Sequence, residues 1–440
     1  MYDIVRDSPL GQCIRILTCG RIFKYPEETA DFTLPLLYQS PVGSKATADR
    51  FTGNDLEASH GDARSDSANS PLRTQDGITI VTWYSPDDPE NPYNWTPGKK
   101  LWVGILLFIY TFAVYIGSSL YTASEPDIVK IYHVSNIAAS IGLTLYVLGY
   151  GIGPMLFSPL SEIPVIGRNS IYIITFVIFT VLCVPMALVD NFAGILVLRF
   201  LLGFFGSPCL ATAGASYGDF YGPTQLPYVI AMWGGGATLG PALGPLVGGF
   251  AVQEMTWRWS SWELLWLSAP IMILMFCTMP ETSSDKILLR RAQRLRLLTG
   301  REDLKSESET RQEKMNPREM AFFALIKPWQ INALDPAVLF STFYTGLTYG
   351  IYYSFFECFP TVYNDMYGFN LGQLGLAFLS VLVGLFVAVV LLCAYLYFIA
   401  PKRLGRFDPA GVPPEERIWP GLFATFLIPL GLYLFARVIY

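Results

Sequence analysis

"GGGATLGPALGPLVGGF", residues 234–250, holds seven glycines and two prolines in seventeen positions. In water such a composition works against a helix, because glycine and proline are the two weakest helix formers. In a bilayer the same residues have a use. Gly236, Gly240, Gly244 and Gly248 recur every four positions and so share one helical face, with Ala237, Pro241, Pro245 and Gly249 as the adjacent stripe. Lipid tails supply no hydrophobic force between helices, so close approach through small residues becomes a main source of their association. Prolines are tolerated there because neighbouring groups satisfy the carbonyls they free. The stretch predicts a spanning helix pressed against another along its length and bent near 241 and 245. Plain packing glue is the rival reading to a transport role.

Composition agrees with a membrane setting. Of 440 residues, 52% are hydrophobic and 15% charged, against about 25% charged in an ordinary soluble domain. A net charge of -5 with two histidines excludes the concentrated basic face of a nucleic-acid binder. The seven cysteines are scattered, without a disulfide framework or a Cys-x-x-Cys metal pair, and read as reduced and mostly packing. The first twenty-odd residues mix Asp3, Arg6, Arg15 and Arg21 with no continuous apolar core, so no signal peptide is expected.

A span needs about 20 apolar residues to cross about 30 Å of hydrocarbon. Nine runs meet that rule: 101–122, 138–160, 169–189, 193–217, 226–251, 260–279, 337–358, 372–399 and 418–437. With the N-terminus in the cytoplasm, the inner segments hold Lys99, Lys100, Arg168, eleven Lys or Arg between 281 and 333, and Lys402, Arg403, Arg406 and Arg417, while the outer loops hold Lys130 and Arg258. That asymmetry is what the positive-inside rule predicts. The expected organisation is an all-α membrane protein: a cytoplasmic region 1–99, partly disordered at 40–75; a six-helix bundle over 100–280; a central cytoplasmic loop 281–335; and a partial bundle of three spans over 336–440. Within the loop, "DKILLRRAQRLRLL" (285–298) reads as a basic amphipathic helix lying on the cytoplasmic leaflet, with a solvated charged linker helix as the alternative.

Nucleotide loops, His-Glu-x-x-His and nucleophile elbows are missing from the sequence. The reading is therefore not an enzyme, with no cofactor and no metal. Transport energy would come from an ion gradient, in which one charge moved through 100 mV is worth about 2.3 kcal/mol.

Several stretches resemble the major facilitator superfamily, and within it the fungal drug:proton antiporters of twelve spans. "GPALGPLVGGF" is similar to the antiporter motif of that family's fifth span, with Gly240, Gly244, Pro245, Gly248 and Gly249 matching and Ala231 standing where a further glycine is usual. "LRFLLGFFGSPCLATAGASYGDFYG" (198–222) resembles the fourth-span motif, with Arg199 in the place of its buried arginine. "SPLSEIPVIGRN" (158–169) resembles the gating loop between spans two and three, with Glu162 as the acid and Gly167 and Arg168 as the Gly-Arg pair, although the spacing is longer and a middle basic residue is missing. "MPETS" (279–283) and "DDPENPYNW" (87–95) are similar to the family's exit from span six and its approach to span one.

The resemblance implies the major facilitator fold and proton-coupled efflux of small hydrophobic drugs or toxic metabolites from the plasma membrane, with lipid, a small-molecule substrate and protons as partners and no nucleic acid. Arg199 lies about six residues, roughly 9 Å, into its span; a coupling role stands against a structural or snorkelling one. Glu357 near the outer end of span seven is the candidate proton or substrate carboxylate, Asp219 a gating partner for Arg168, and Glu125 and Asp127 solvated outer residues. Tyr146, Tyr150, Trp233 and Tyr349 are candidates for an aromatic cavity, against a packing role. Uptake of a polar solute such as a polyamine or sugar, and a non-transporting membrane protein, are the alternatives. With three spans after the central loop, the chain reads either as C-terminally truncated or as completed by another chain that supplies the missing C-terminal half.

Overall fold

The computed structural model describes residues 2–29, 32–35, 38, 77–313, 322, 326–404 and 418–439. The stretch expected to be disordered, 40–75, lies outside them. Two short helices, α1 (Tyr2–Asp7) and α2 (Pro9–Leu17), precede a strand β1 (Thr79–Val81) and the first long helix, α3 (Pro97–Ser119). Helix α4 (Glu125–Tyr132) follows a turn, and the bundle continues with α5 (Asn136–Glu162), α6 (Gly167–Leu188), α7 (Phe192–Gly206), α8 (Pro208–Phe220), α9 (Leu226–Glu254) and α10 (Trp259–Thr278). The expected fourth span is thus two helices meeting at Ser207, where Pro208 has no amide hydrogen to continue the ladder of α7. Side chains cap the first turns: the Ser135 hydroxyl accepts from Ala138 N, and Asn191 caps α7 in the same way.

Helix α9 runs unbroken through Pro241 and Pro245. Its glycine face lies along α3, the two helices running side by side in the same direction. A methyl group added at Gly236 would sit 2.6 Å from the Phe108 ring, at Gly240 2.7 Å from Ile116 N, and at Gly244 2.9 Å from Leu120 N. Non-bonded carbon atoms do not come this close, so at Gly240 and Gly244, where the neighbour is backbone, only hydrogen fits, and at Gly236 the Phe108 ring would have to move. Gly248 is looser, at 3.1 Å from Leu120 O.

Beyond α10 come α11 (Ser284–Thr299), strand β2 (Leu304–Ser306), α12 (Glu307–Glu313), α13 (Lys327–Leu334), α14 (Pro336–Phe359), α15 (Leu371–Ala377), α16 (Leu379–Phe398), α17 (Ala400–Leu404) and α18 (Trp419–Ile439). Among the described residues, eight helical stretches are long and apolar enough to cross a membrane. Helix α14, the expected seventh span, is not one of them. It has the length, but Ser341, Thr342, Thr345, Thr348 and its tyrosines dilute the apolar run. The second face of α9 receives α15: a methyl on Gly249 would lie 2.6 Å from Leu371 O, and one on Gly375 2.6 Å from Pro245 O.

At the end where α3 begins, here the entry face, the loop and the N-terminal region fold together. Strands β1 and β2 pair in parallel, Thr79 with Leu304 and Val81 with Ser306, and α11 packs Ala292 and Leu295 onto them. The basic amphipathic helix is present, one residue longer at each end than expected, and two of its arginines, Arg291 and Arg294, are turned into the protein. Arg291 is 1% exposed and donates to Asp88 Oδ2 at 2.6 Å and Glu90 Oε2 at 3.0 Å. Arg294 pairs with Glu27 Oε2 at 3.1 Å and lies 3.9 Å from the Tyr25 ring centroid. A guanidinium enclosed by protein needs carboxylates about it, and the N-terminal region supplies three.

Candidate functional site

Arg199 sits in the middle of the first bundle. Its Nη1 donates to Gly117 O at 2.8 Å, Nη2 to Ser118 O at 3.1 Å and Nε to Gly142 O at 3.2 Å. The rings of Tyr121 and Tyr146 lie 4.4 and 4.5 Å away on its faces. It is 3% exposed, so it does not snorkel to a surface. One fork-shaped cation binds α3, α5 and α7 where α3 leaves off, using carbonyls in place of a carboxylate. Beside it lies a cavity of about 10 Å³ lined by Tyr121, Cys183, Ser260 and Ser261, on the scale of one water molecule.

Of the four expected cavity aromatics, Tyr146, Tyr150 and Tyr349 stand near one another, the Tyr146 and Tyr150 rings 6.0 Å apart, and Trp233 stands apart from them. Tyr146 belongs to the Arg199 site, its hydroxyl donating to Val114 O at 2.6 Å. Trp233 Nε1 donates to Thr111 Oγ1 at 2.9 Å. Tyr150 donates to the hydroxyl of Tyr353 at 2.8 Å, Tyr353 meets Ser118 Oγ at 3.2 Å, and Tyr349 stacks on Tyr353 at 6.5 Å. Tyr115 closes on Tyr150 at 5.6 Å. This chain of hydroxyls joins α3 and α5 of the first bundle to α14, near the end away from the entry face. Toward the entry face α14 leaves Phe340, Phe343 and Leu347 exposed, while α16 stays beside α9, with Leu385 and Val389 within 4 Å of a carbon added at Gly235. Tyr353 and Ser118 were not singled out in the sequence. The Tyr352–Tyr353 pair in an otherwise expected span is the signal that would have found them.

The expected gating loop is partly assembled. Arg168 and Asp219 form the anticipated pair, Nε to Oδ2 at 2.6 Å and Nη2 to Oδ1 at 3.0 Å. Gly167 takes a φ of +69°, which favours glycine. Glu162 is exposed at the end of α5, near enough for its charge to act on Arg168. Glu281, not singled out in the sequence, also faces this loop. Its Oε1 accepts from the backbone N of Arg168 at 3.1 Å, of Thr282 at 3.2 Å and of Ser283 at 3.2 Å, while Oε2 pairs with Lys286 at 3.3 Å. A carboxylate over the first amides of α6 is where the helix dipole favours one. Lys286 also donates to the Ile166 carbonyl. Its ammonium is held below the usual lysine range, burial outweighing the attraction of Glu281.

Glu357 lies exposed three residues before Pro360 and forms no ion pair among the described residues. Glu125, expected to be solvated, is half-buried: its Oε1 is enclosed with no hydrogen-bond partner and Ser140 Oγ donates to Oε2 at 3.4 Å. Asp127 is paired with Lys130 at 3.8 Å. The cysteines also divide. Cys183 and Cys209 pack in the core, whereas Cys13, Cys19 and Cys358 are exposed. Among the described residues, no three His, Cys, Asp or Glu side chains gather as a metal ion would require.

Eight apolar helical stretches long enough to cross a membrane among the described residues, packed about one buried arginine, define a multi-pass membrane protein. The family model described as the Major Facilitator Superfamily matches residues 107–439, and the chain belongs to that superfamily. It is 41% identical to MFS-type transporter pyvG of Aspergillus violaceofuscus, over 99% of this chain and 80% of the relative. It is 34% identical to the cycloheximide resistance protein of Candida maltosa, over 99% and 79%. With fluconazole resistance protein 1 of Saccharomyces cerevisiae the identity is 37%, over 87% and 69%. The expectation of a truncated chain gains no support from these matches, since the family model runs through the last described helix, α18.

Proposed function

We propose that this chain exports small, largely hydrophobic organic compounds from the cell across the plasma membrane by alternating access, in exchange for protons, with the entry face in the cytoplasm. The observation that carries the reading is the hydroxyl bridge Tyr150–Tyr353–Ser118, which ties the middle of α5 and the last turn of α3 to the last third of α14. A carrier must close one end of its cavity while the other is open, and here the closed end is the one away from the basic loop. The clamped glycine face of α9 supports the same reading, because it leaves no gap for ions beside α3 and α15. Two of the relatives are named for resistance to different compounds, which suits export of more than one small molecule. Arg199 and the enclosed Glu125, with Glu357 beyond it, are the candidates for coupling to protons.

The test is accumulation of a fluorescent hydrophobic dye in everted vesicles under an imposed pH gradient. Accumulation that an uncoupler collapses is expected; flux indifferent to the uncoupler rejects proton exchange, and flux of a polyamine or sugar in its place rejects the substrate class.

A further inference from the structure

Helix α2 is attached the wrong way round for a helix in water. Its polar side is turned into the protein: Gln12 Nε2 donates to the Tyr25 hydroxyl at 2.9 Å and to Arg6 O at 2.9 Å, Arg15 pairs with Glu28, and the Arg15 guanidinium lies 4.8 Å from the Tyr25 ring centroid. Its outward side is apolar. Cys13, Ile16 and Leu17 fall at helical spacing on one face, Ile16 76% and Leu17 83% exposed. The helix packs on α1 and on α10, at the end of α10 where Thr278 accepts from Trp102 Nε1 at 3.2 Å. Tryptophans of this kind mark the level of the lipid headgroups. The outward face of α2 therefore continues the lipid-facing surface of α10, and exposed Arg21 and Lys24 follow it immediately, as on helices that lie in an anionic leaflet.

We propose that α2 lies in the surface of the cytoplasmic leaflet as an in-plane anchor, and that Cys13, on its lipid side, is a site of S-acylation. The placement rests on the orientation given under Proposed function, though not on the export activity. A cysteine on an amphipathic helix at the membrane is a suitable acceptor, and its thiol here is exposed and not in a disulfide. In the reaction the Cys13 thiol gives up its proton and Sγ attacks the carbonyl carbon of a fatty acyl thioester. The new carbon–sulfur bond forms as the donor's breaks, and the donor thiolate leaves and takes up the proton. Nothing is oxidised or reduced, and the product thioester is cleaved by hydroxylamine.

The full chain, made in yeast, is blocked at its free thiols, treated with hydroxylamine and labelled with a thiol-reactive biotin. Hydroxylamine-dependent labelling is expected in the unaltered chain and in Cys19→Ser, and its loss in Cys13→Ser, an exposed substitution that leaves folding undisturbed. No such labelling in the unaltered chain, or labelling unchanged in Cys13→Ser, overturns the acylation site. A nitroxide on Cys13, with the other cysteines replaced and the chain in phosphatidylcholine–phosphatidylserine vesicles, reads the leaflet separately. Faster collision with oxygen than with a water-soluble nickel chelate is expected, and the reverse overturns the anchor on either orientation. Neither result bears on dye export, so the two readings fail independently.

Discussion

Taking away the Arg199 side chain would leave the carbonyls of Gly117, Ser118 and Gly142 without their donors, at about 1–3 kcal/mol for each buried group left unpaired. Arg199→Ala is accordingly expected to insert but to lose dye export, and Arg199→Lys to recover little, because a single ammonium cannot span three acceptors as a fork does. Export at the unaltered rate in Arg199→Ala, measured in the vesicle assay, would remove this residue from the mechanism. Glu281→Ala is expected to lower the midpoint of thermal unfolding, since about 1 kcal/mol attends loss of a helix cap; Glu162→Ala should leave it unchanged. Residue type announced Arg199, as an arginine within an apolar run, but its partners are backbone carbonyls, which carry no sequence signature. Glu162 was legible through the resemblance of residues 158–169 to a gating loop, whereas Glu281 was not, because the exit from α10 folds back over the start of α6 and brings it there only in three dimensions.

Glycine spacing made the packing face of α9 legible before any partner was known, and the partner is what the spacing leaves open. Two helices divide the stripe, α3 on the Gly236–Gly244 side and α15 on the Gly249 side. Overpacking a close interface costs about 1–3 kcal/mol or more, so Gly240→Leu and Gly244→Leu should cut the yield of folded, monodisperse protein in detergent. Gly234→Ala, where nothing lies within 4 Å of an added carbon, should behave as the unaltered chain does; equal loss in all three would contradict the clamp. Helix α11 was equally legible as a helix, but its arginines read as leaflet-facing because their acids lie some two hundred residues away, in a region with no periodic pattern. Those acids set a pH dependence. For Glu27 burial is the largest influence and opposes ionisation, yet the Arg294 charge and the hydrogen bonds it receives hold its carboxyl below the usual range. Asp88, beside Arg291, is lowered in the same way. A carboxyl depressed in the folded state lends stability above its unfolded value, about 4, and gives it up as pH falls through the folded one. The unfolding midpoint should therefore drop as pH is taken below about 4, and less steeply in Asp88→Asn.

For the molecule as a whole, the contact between the first bundle and α14 decides which side of the membrane the cavity faces. Tyr353→Phe removes a hydroxyl that accepts from Tyr150 and meets Ser118, each bond worth about 1 kcal/mol. In a Ser118→Cys background, where the Tyr150 bond is the one left to lose, the open-outward population should rise by about fivefold, read as faster labelling of that cysteine by a membrane-impermeant thiol reagent. The most direct test is to tie the bridge shut. With Tyr150→Cys and Tyr353→Cys in a chain lacking its other cysteines, a reducible bifunctional thiol reagent should stop dye export when the cross-link is complete, and reduction should restore it. Export continuing at full rate through a completely cross-linked carrier would contradict alternating access across this contact.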